Sequence, residues 1–134
     1  MSDLILDASA VIEAALDEKG FEAYSAHALH GPGLLWWEVN SVLHEHTARG
    51  DILQVAADAA MRRLTAQPIR HWGPSPALLY SAVRVARQLG WTRVYDAVYV
   101  ALALEIDGSR IVTKDERLRR GASRLVGIIS SAEI

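Results

Sequence analysis

Short apolar runs alternate along this chain with longer stretches in which apolar residues recur at helical spacing. That alternation predicts parallel strands joined by crossover helices. Leu4–Ile5–Leu6 is a continuous apolar run, as a strand covered on both faces requires. Leu34–Leu35–Trp36, entered through Gly31–Pro32–Gly33, predicts a second strand. Ile69–Arg70–His71–Trp72 alternates and predicts a third, nearer an edge. Ile111–Val112–Thr113 and Leu125–Val126–Gly127–Ile128 predict two more.

The helices between them carry start and stop signals. Ser75 predicts an N-cap with Pro76 at the first helical position, and Gly90 predicts the stop. Leu79, Ala82, Val83, Ala86 and Leu89 form the expected inner stripe of that helix. Asp51 predicts the cap of a helix with Ile52, Val55, Ala56 and Ala59 inside, and Glu38 opens another with Val39, Val42, Leu43 and His46 inside. Thr92 caps a helix running to about Glu105, apolar nearly all round and so buried on more than one side. The expected fold is α/β, a three-layer α/β/α sandwich around a central, mostly parallel sheet of about five strands. No linker, repeat or low-complexity stretch divides the chain, so residues 1–134 are expected to form one domain.

Composition narrows the chemistry. An apolar fraction of 51% with 22% charged residues excludes a disordered chain. The absence of cysteine excludes disulfides, zinc ribbons and thiol catalysis, and suits a reducing, cytoplasmic location. The apolar run at the start meets Asp7 at once and is too short for a signal peptide or membrane span. The net charge of −2 conceals an asymmetry: residues 1–60 hold ten acids against Lys19 and Arg49, whereas residues 61–134 hold twelve bases against six acids. Such a division points to an anionic partner or to two solvated faces.

The acids fall at chemically telling places. Asp7 ends the first predicted strand, Glu38 closely follows the second, and Asp115 follows the fourth. Ligands of open α/β sheets bind at those carboxyl ends. Asp96 is the lone charged side chain between Val94 and Leu104, in the first turns of a helix expected to be buried. Four converging carboxylates repel one another unless a cation sits among them. Oxygen donors without cysteine select Mg²⁺ or Mn²⁺.

The stretches ILDASAVI (5–12), WEVNSVL (37–43), YDAVYVALA (95–103) and TKDERL (113–118) resemble the PIN-domain ribonucleases, in particular the VapC-type toxins of prokaryotic toxin–antitoxin pairs. The resemblance spans essentially the whole chain, with the motifs in matching order. It implies a metal-dependent endoribonuclease acting on structured RNA, usually tRNA or rRNA. It also implies a homodimer held inactive by a cognate antitoxin whose C-terminal segment lies across the active-site groove. By position, Asp7, Glu38, Asp96 and Asp115 match the four family acids, with Glu116 a neighbouring candidate for the fourth. Ser9 matches the hydroxyl that orients the first carboxylate, Thr113 the hydroxyl before the last, and Asn40 a frequent asparagine.

The expected metal ligands are Asp7, Asp96 and Asp115. Glu38 is left to hold a water or a second ion, or to act as general base. Hydrolysis would leave a 5′-phosphate and a 3′-hydroxyl, as the resemblance implies. Lys114, Arg117, Arg119, Arg120 and Arg124 crowd the segment beside the fourth acid and are candidates for RNA contact. The helix beginning at Ser75, with Leu78 and Val85 off its inner stripe, is the expected dimer surface. Three rivals stand beside this reading. A haloacid-dehalogenase-type phosphotransferase needs a second Asp where Ser9 stands. A Mg²⁺-binding receiver domain needs a phosphoacceptor Asp after the third strand, where His71–Trp72–Gly73 offers none. A catalytically silent PIN-like scaffold would have no reason to maintain four repelling acids.

Overall fold

In the computed structural model, which describes residues 2–134, strand β1 (Asp3–Leu6) buries Leu4, Ile5 and Leu6 completely. Strands β2 (Ala28–Pro32) and β4 (Arg110–Val112) pair with its two sides. Strand β3 (Ile69–Trp72) lies outside β2 and β5 (Gly127–Ile129) outside β4, every pair being parallel. Six helices flank this sheet: α1 (Ala8–Ala15), α2 (Leu34–Ala48), α3 (Gln54–Thr65), α4 (Pro76–Leu89), α5 (Tyr95–Glu105) and α6 (Glu116–Ala122). Helices α1, α2 and α3 pack on one another, and α4 packs along α5. Helix α5 has six buried residues, among them Tyr99, Val100 and Leu102, in keeping with its all-round apolar sequence. The α/β/α sandwich is as expected.

The sheet order is β3-β2-β1-β4-β5. The chain therefore winds one way from β1 through β2 to β3 and the other way from β4 to β5. The direction reverses between β1 and β4, the place where open α/β sheets form a ligand crevice. A receiver sheet has its first strand between the second and third. Here β1 lies between β2 and β4, which removes the receiver reading.

Several local expectations are corrected. Leu34–Leu35–Trp36 is the first turn of α2, and the strand precedes it at Ala28–Pro32. A short apolar run has no period of its own to distinguish strand from helix start. Leu35 seats this turn on the sheet, so close that a Cβ on Gly31 would lie 2.5 Å from its Cδ2. Helix α3 starts at Gln54 and buries Ala57, Ala60 and Leu64, one step round from the expected Val55, Ala56 and Ala59 face. Asp51 accepts from His46 and Arg49 instead of capping it. No side chain caps α5, so Thr92 does not have the expected role.

Helix α4 has its expected ends. The Ser75 side chain accepts the Leu78 N–H, and Gly90 closes the helix in the left-handed region at φ 71°. Its inner face is different. Ala82, Val85 and Ala86 are buried and Leu78 packs against the core, whereas Leu79 and Val83 are exposed. Val85 therefore lies inside, away from the dimer surface expected of it, whereas half-buried Leu78 lines an apolar groove with Leu79, Tyr80 and Val83. The helix carries apolar residues on two adjoining stripes, and only packing against α5 chooses between them.

Candidate active site

Asp7 leaves β1 directly and caps α1, its Oδ1 accepting the Ala10 N–H at 3.0 Å. The Ser9 hydroxyl donates to the same oxygen at 2.6 Å, and the Thr113 hydroxyl donates to Oδ2. Both hydroxyls are in turn fixed from the chain leaving β4. The Lys114 N–H donates to Ser9 Oγ, and the Asp115 N–H to Thr113 Oγ1, each at 2.9 Å. The ends of β1 and β4 are thus tied together at the winding reversal. Burial pushes the Asp7 carboxyl up, the bonds from Ser9, Thr113 and Ala10 pull it down, and the charge of Asp115 raises it again.

Asp115 is the N-cap of α6, its side chain accepting from the N–H groups of Arg117 and Leu118. Its charge bears on both Asp7 and Asp96. Glu116 is the first residue of α6 and is exposed, so Asp115 is the acid at this corner.

Glu38 stands in the second turn of α2, farther from its strand than expected, because α2 begins at Leu34. Buried Tyr99 donates its phenol to Glu38 Oε1 at 2.5 Å. Burial raises the Glu38 carboxyl, the Tyr99 bond lowers it, and Asp96 and Asp7 raise it further. Tyr99 is itself pushed up by burial and then by the Glu38 charge, so it stays a neutral donor. Sequence reasoning missed this tyrosine. The available signal was a hydroxyl three residues after the lone Asp96, on the same face of an otherwise apolar helix.

Asp96 occupies the second position of α5. Desolvation by the surrounding walls pushes its carboxyl up, Asp115 and Asp7 add to that, and Arg117 opposes it. Asp7, Glu38, Asp96 and Asp115 therefore each lie within electrostatic reach of at least two of the others although they come from four segments. Among the described residues, no three Asp, Glu or His side chains close on a point that would hold a metal ion. The donor set still fits a hard divalent cation: oxygen atoms only, on carboxylates that burial and mutual repulsion leave short of positive charge.

A groove of about 590 Å³ opens over Glu38 and Asp96, walled by Trp91, Arg93, Tyr95 and Arg117. Of the five basic candidates, only Arg117 lines it. Lys114 is bound to Glu13 at 3.0 Å and Arg119 to Glu133 at 3.0 Å. Arg120 and Arg124 are exposed beyond the groove. Arg93, which no motif singled out, faces it instead. Asn40 is exposed on α2 and does not line this groove.

A family model for the PIN domain matches residues 4–123. This chain belongs to the PIN-domain family. The architecture of this PIN domain agrees with solved structures at low sequence identity. It is similar to PAE2754 from Pyrobaculum aerophilum at 24% identity and TM-score 0.76, over 98% of this chain and 91% of that one. It is similar to a chain of a toxin–antitoxin complex from Klebsiella pneumoniae at 14% identity and TM-score 0.66, over 98% and 99% of the two chains. VapBC-1 from nontypeable Haemophilus influenzae matches at 11% identity and TM-score 0.62, over 97% and 98%. No protein among the curated ones matches the sequence. Among the described residues, no helix of this PIN domain is long and apolar enough to cross a membrane.

Proposed function

We propose that this PIN domain is a VapC-type toxin: a Mg²⁺- or Mn²⁺-dependent endoribonuclease that hydrolyses phosphodiester bonds in structured RNA, tRNA or rRNA, in the cytoplasm. One observation carries the reading. Burial and neighbouring carboxylates raise Asp7, Glu38 and Asp96, which come from separate segments, and a groove with arginines on its walls opens over two of them. Such a site is costly unless a cation and then a polyanion occupy it.

Asp7, Asp96 and Asp115 would hold the metal. A divalent ion, when bound, polarises a phosphoryl oxygen and makes water a better nucleophile at neutral pH. The chain's own residues do the remaining work. Ser9 and Thr113 hold both oxygens of Asp7, so its carboxylate cannot rotate. Tyr99 occupies Oε1 of Glu38, leaving Oε2 to accept a hydrogen bond or proton from the attacking water. Arg117, beside Asp115 at 3.7 Å, draws the substrate phosphate toward the acids. Water attack then leaves a 5′-phosphate and a 3′-hydroxyl.

The partners are a cognate antitoxin and a second copy of the chain. Two of the similar structures are toxin–antitoxin assemblies, which supports the first. The second is supported by the exposed apolar face of α4, where Leu79, Tyr80 and Val83 stand beside Trp37. The test is cleavage of RNA by antitoxin-free protein with Mn²⁺. EDTA, Asp7→Asn and Asp96→Asn should each abolish cleavage with the fold intact. Variants that cleave at the wild-type rate would remove the metal-site assignment. Wild-type protein inert with every divalent ion would leave a silent binding scaffold.

A further inference from the structure

The groove beside the acids has walls that none of the four motifs accounts for. Its outer wall is the loop joining α4 to α5, residues 90–94. Gly90, in the left-handed region, turns the chain back so that the Trp91 N–H donates to the Ala86 carbonyl at 2.8 Å. The Trp91 indole then lies against α6, where a Cβ on Gly121 would come within 2.8 Å of its Cζ2. Loop and helix are thereby held together, and the groove between them has a set width.

Arg93 and Arg117 face this groove from the loop and from α6. Arg117 is strongly exposed, with only the 3.7 Å approach to Asp115. Arg93 is exposed and makes no ion pair among the described residues. Lys114 and Arg119 are already committed to carboxylates, so the two arginines at the groove are the cations placed to meet a ligand there. Tyr95, 56% exposed, offers its ring on the same wall, one residue before Asp96. Two guanidinium groups for phosphate and an open aromatic ring for a flat base are the requirements of a nucleotide. About 590 Å³ is ample room for one. An acidic peptide would satisfy the arginines but need not place a flat ring on Tyr95.

We propose that this groove seats the nucleotide adjoining the scissile phosphodiester, with Arg93 and Arg117 on its phosphates and Tyr95 stacked on its base. The proposal rests on the nuclease reading and adds the residues that would position the RNA strand. It is tested by fluorescence anisotropy with a labelled single-stranded RNA in an Asp7→Asn background, where cleavage is blocked, across a salt series. Arg93→Ala should weaken binding about tenfold and reduce the salt slope by about 0.7, the loss of one single-strand phosphate contact. Tyr95→Ala should weaken binding about tenfold with the slope unchanged, since stacking releases no counterions. Arg62→Ala, at an exposed position of α3 outside the groove, is the control and should bind as the parent does. If Arg93→Ala and Tyr95→Ala also bind as the parent does, the subsite is wrong. Cleavage by the otherwise wild-type chain with Mn²⁺ separates the two ideas. RNA binding that depends on Arg93 without any cleavage keeps the subsite and ends the nuclease reading. Cleavage whose KM ignores both variants keeps the nuclease and ends the subsite.

Discussion

Asp7→Asn should make the metal-free protein more stable while removing its response to metal. Asp7 is 8% exposed, and its carboxylate accepts from Ser9, Ala10 and Thr113. Asparagine keeps the Ser9 and Ala10 bonds on Oδ1, and its Nδ2 donates to Thr113 Oγ1 instead of accepting from it. Exchanging three charge-assisted bonds for neutral ones loses about 1 kcal/mol each. Removing an ion from so dry a site returns several kcal/mol, and the repulsion from Asp115 goes with it. The expected balance is a gain of about 1–2 kcal/mol, or about 4–8 °C in Tm for a domain of this size. The assay is thermal melting at pH 7, followed by tryptophan fluorescence, in EDTA and in millimolar Mn²⁺. Mn²⁺ should raise the wild-type Tm by mass action and leave the variant where it was. An asparagine variant that melts below the wild type in EDTA would refute the reasoning. So would an equal rise of both proteins with Mn²⁺.

Tyr99→Phe removes the donor to Glu38 with the ring left in place, and should lower cleavage about tenfold with little change in Tm or in Mn²⁺ affinity; cleavage at the wild-type rate would show that Glu38 needs no such hold. The carboxyls of Asp7, Glu38 and Asp96 are raised in the folded chain, chiefly by burial, so the native state binds more protons than the unfolded one above the ordinary carboxylate range of about 4. Metal-free stability should therefore fall as pH rises through that window toward neutrality, and saturating Mn²⁺ should abolish the fall. Below about pH 4 the opposite sign takes over, because Glu13, held down by Ser131 and Lys114, loses its stabilising charge; melting temperatures across pH 3–8 check both limbs. Tyr80→Glu, on the exposed face of α4, should convert a dimer to a monomer in sedimentation without loss of fold, and a dimer that survives would place the interface elsewhere.

Much of this protein is legible in local pattern. The run Leu4–Leu6 reads as a buried strand because nothing polar interrupts it, and β1 is completely buried along it. Ser75, Pro76 and Gly90 bound α4 because capping and left-handed geometry are properties of single residues. The positions of Asp7, Asp96 and Asp115 follow from where strands end and a buried helix begins, so the acids could be chosen without coordinates. Leu34–Trp36 misled because a three-residue apolar run suits a strand or the first turn of a helix equally well. Its fate depended on Leu35 packing against Gly31, a contact made only after the chain folds. The same limit explains α4, whose two apolar stripes are equivalent until α5 covers one of them.

The sequence by itself determined which residues could form the sheet, where its carboxyl ends would lie, and that four acids would stand near them. Only the tertiary structure decided what holds those acids. Tyr99 meets Glu38 across 61 positions of sequence, and Thr113 meets Asp7 across 106. It also turned Lys114 and Arg119 toward carboxylates and left Arg93 and Arg117 facing the groove. Hydrophobic period and capping are encoded within a few residues, whereas these pairings depend on how crossovers bring distant strand ends together at the reversal between β1 and β4.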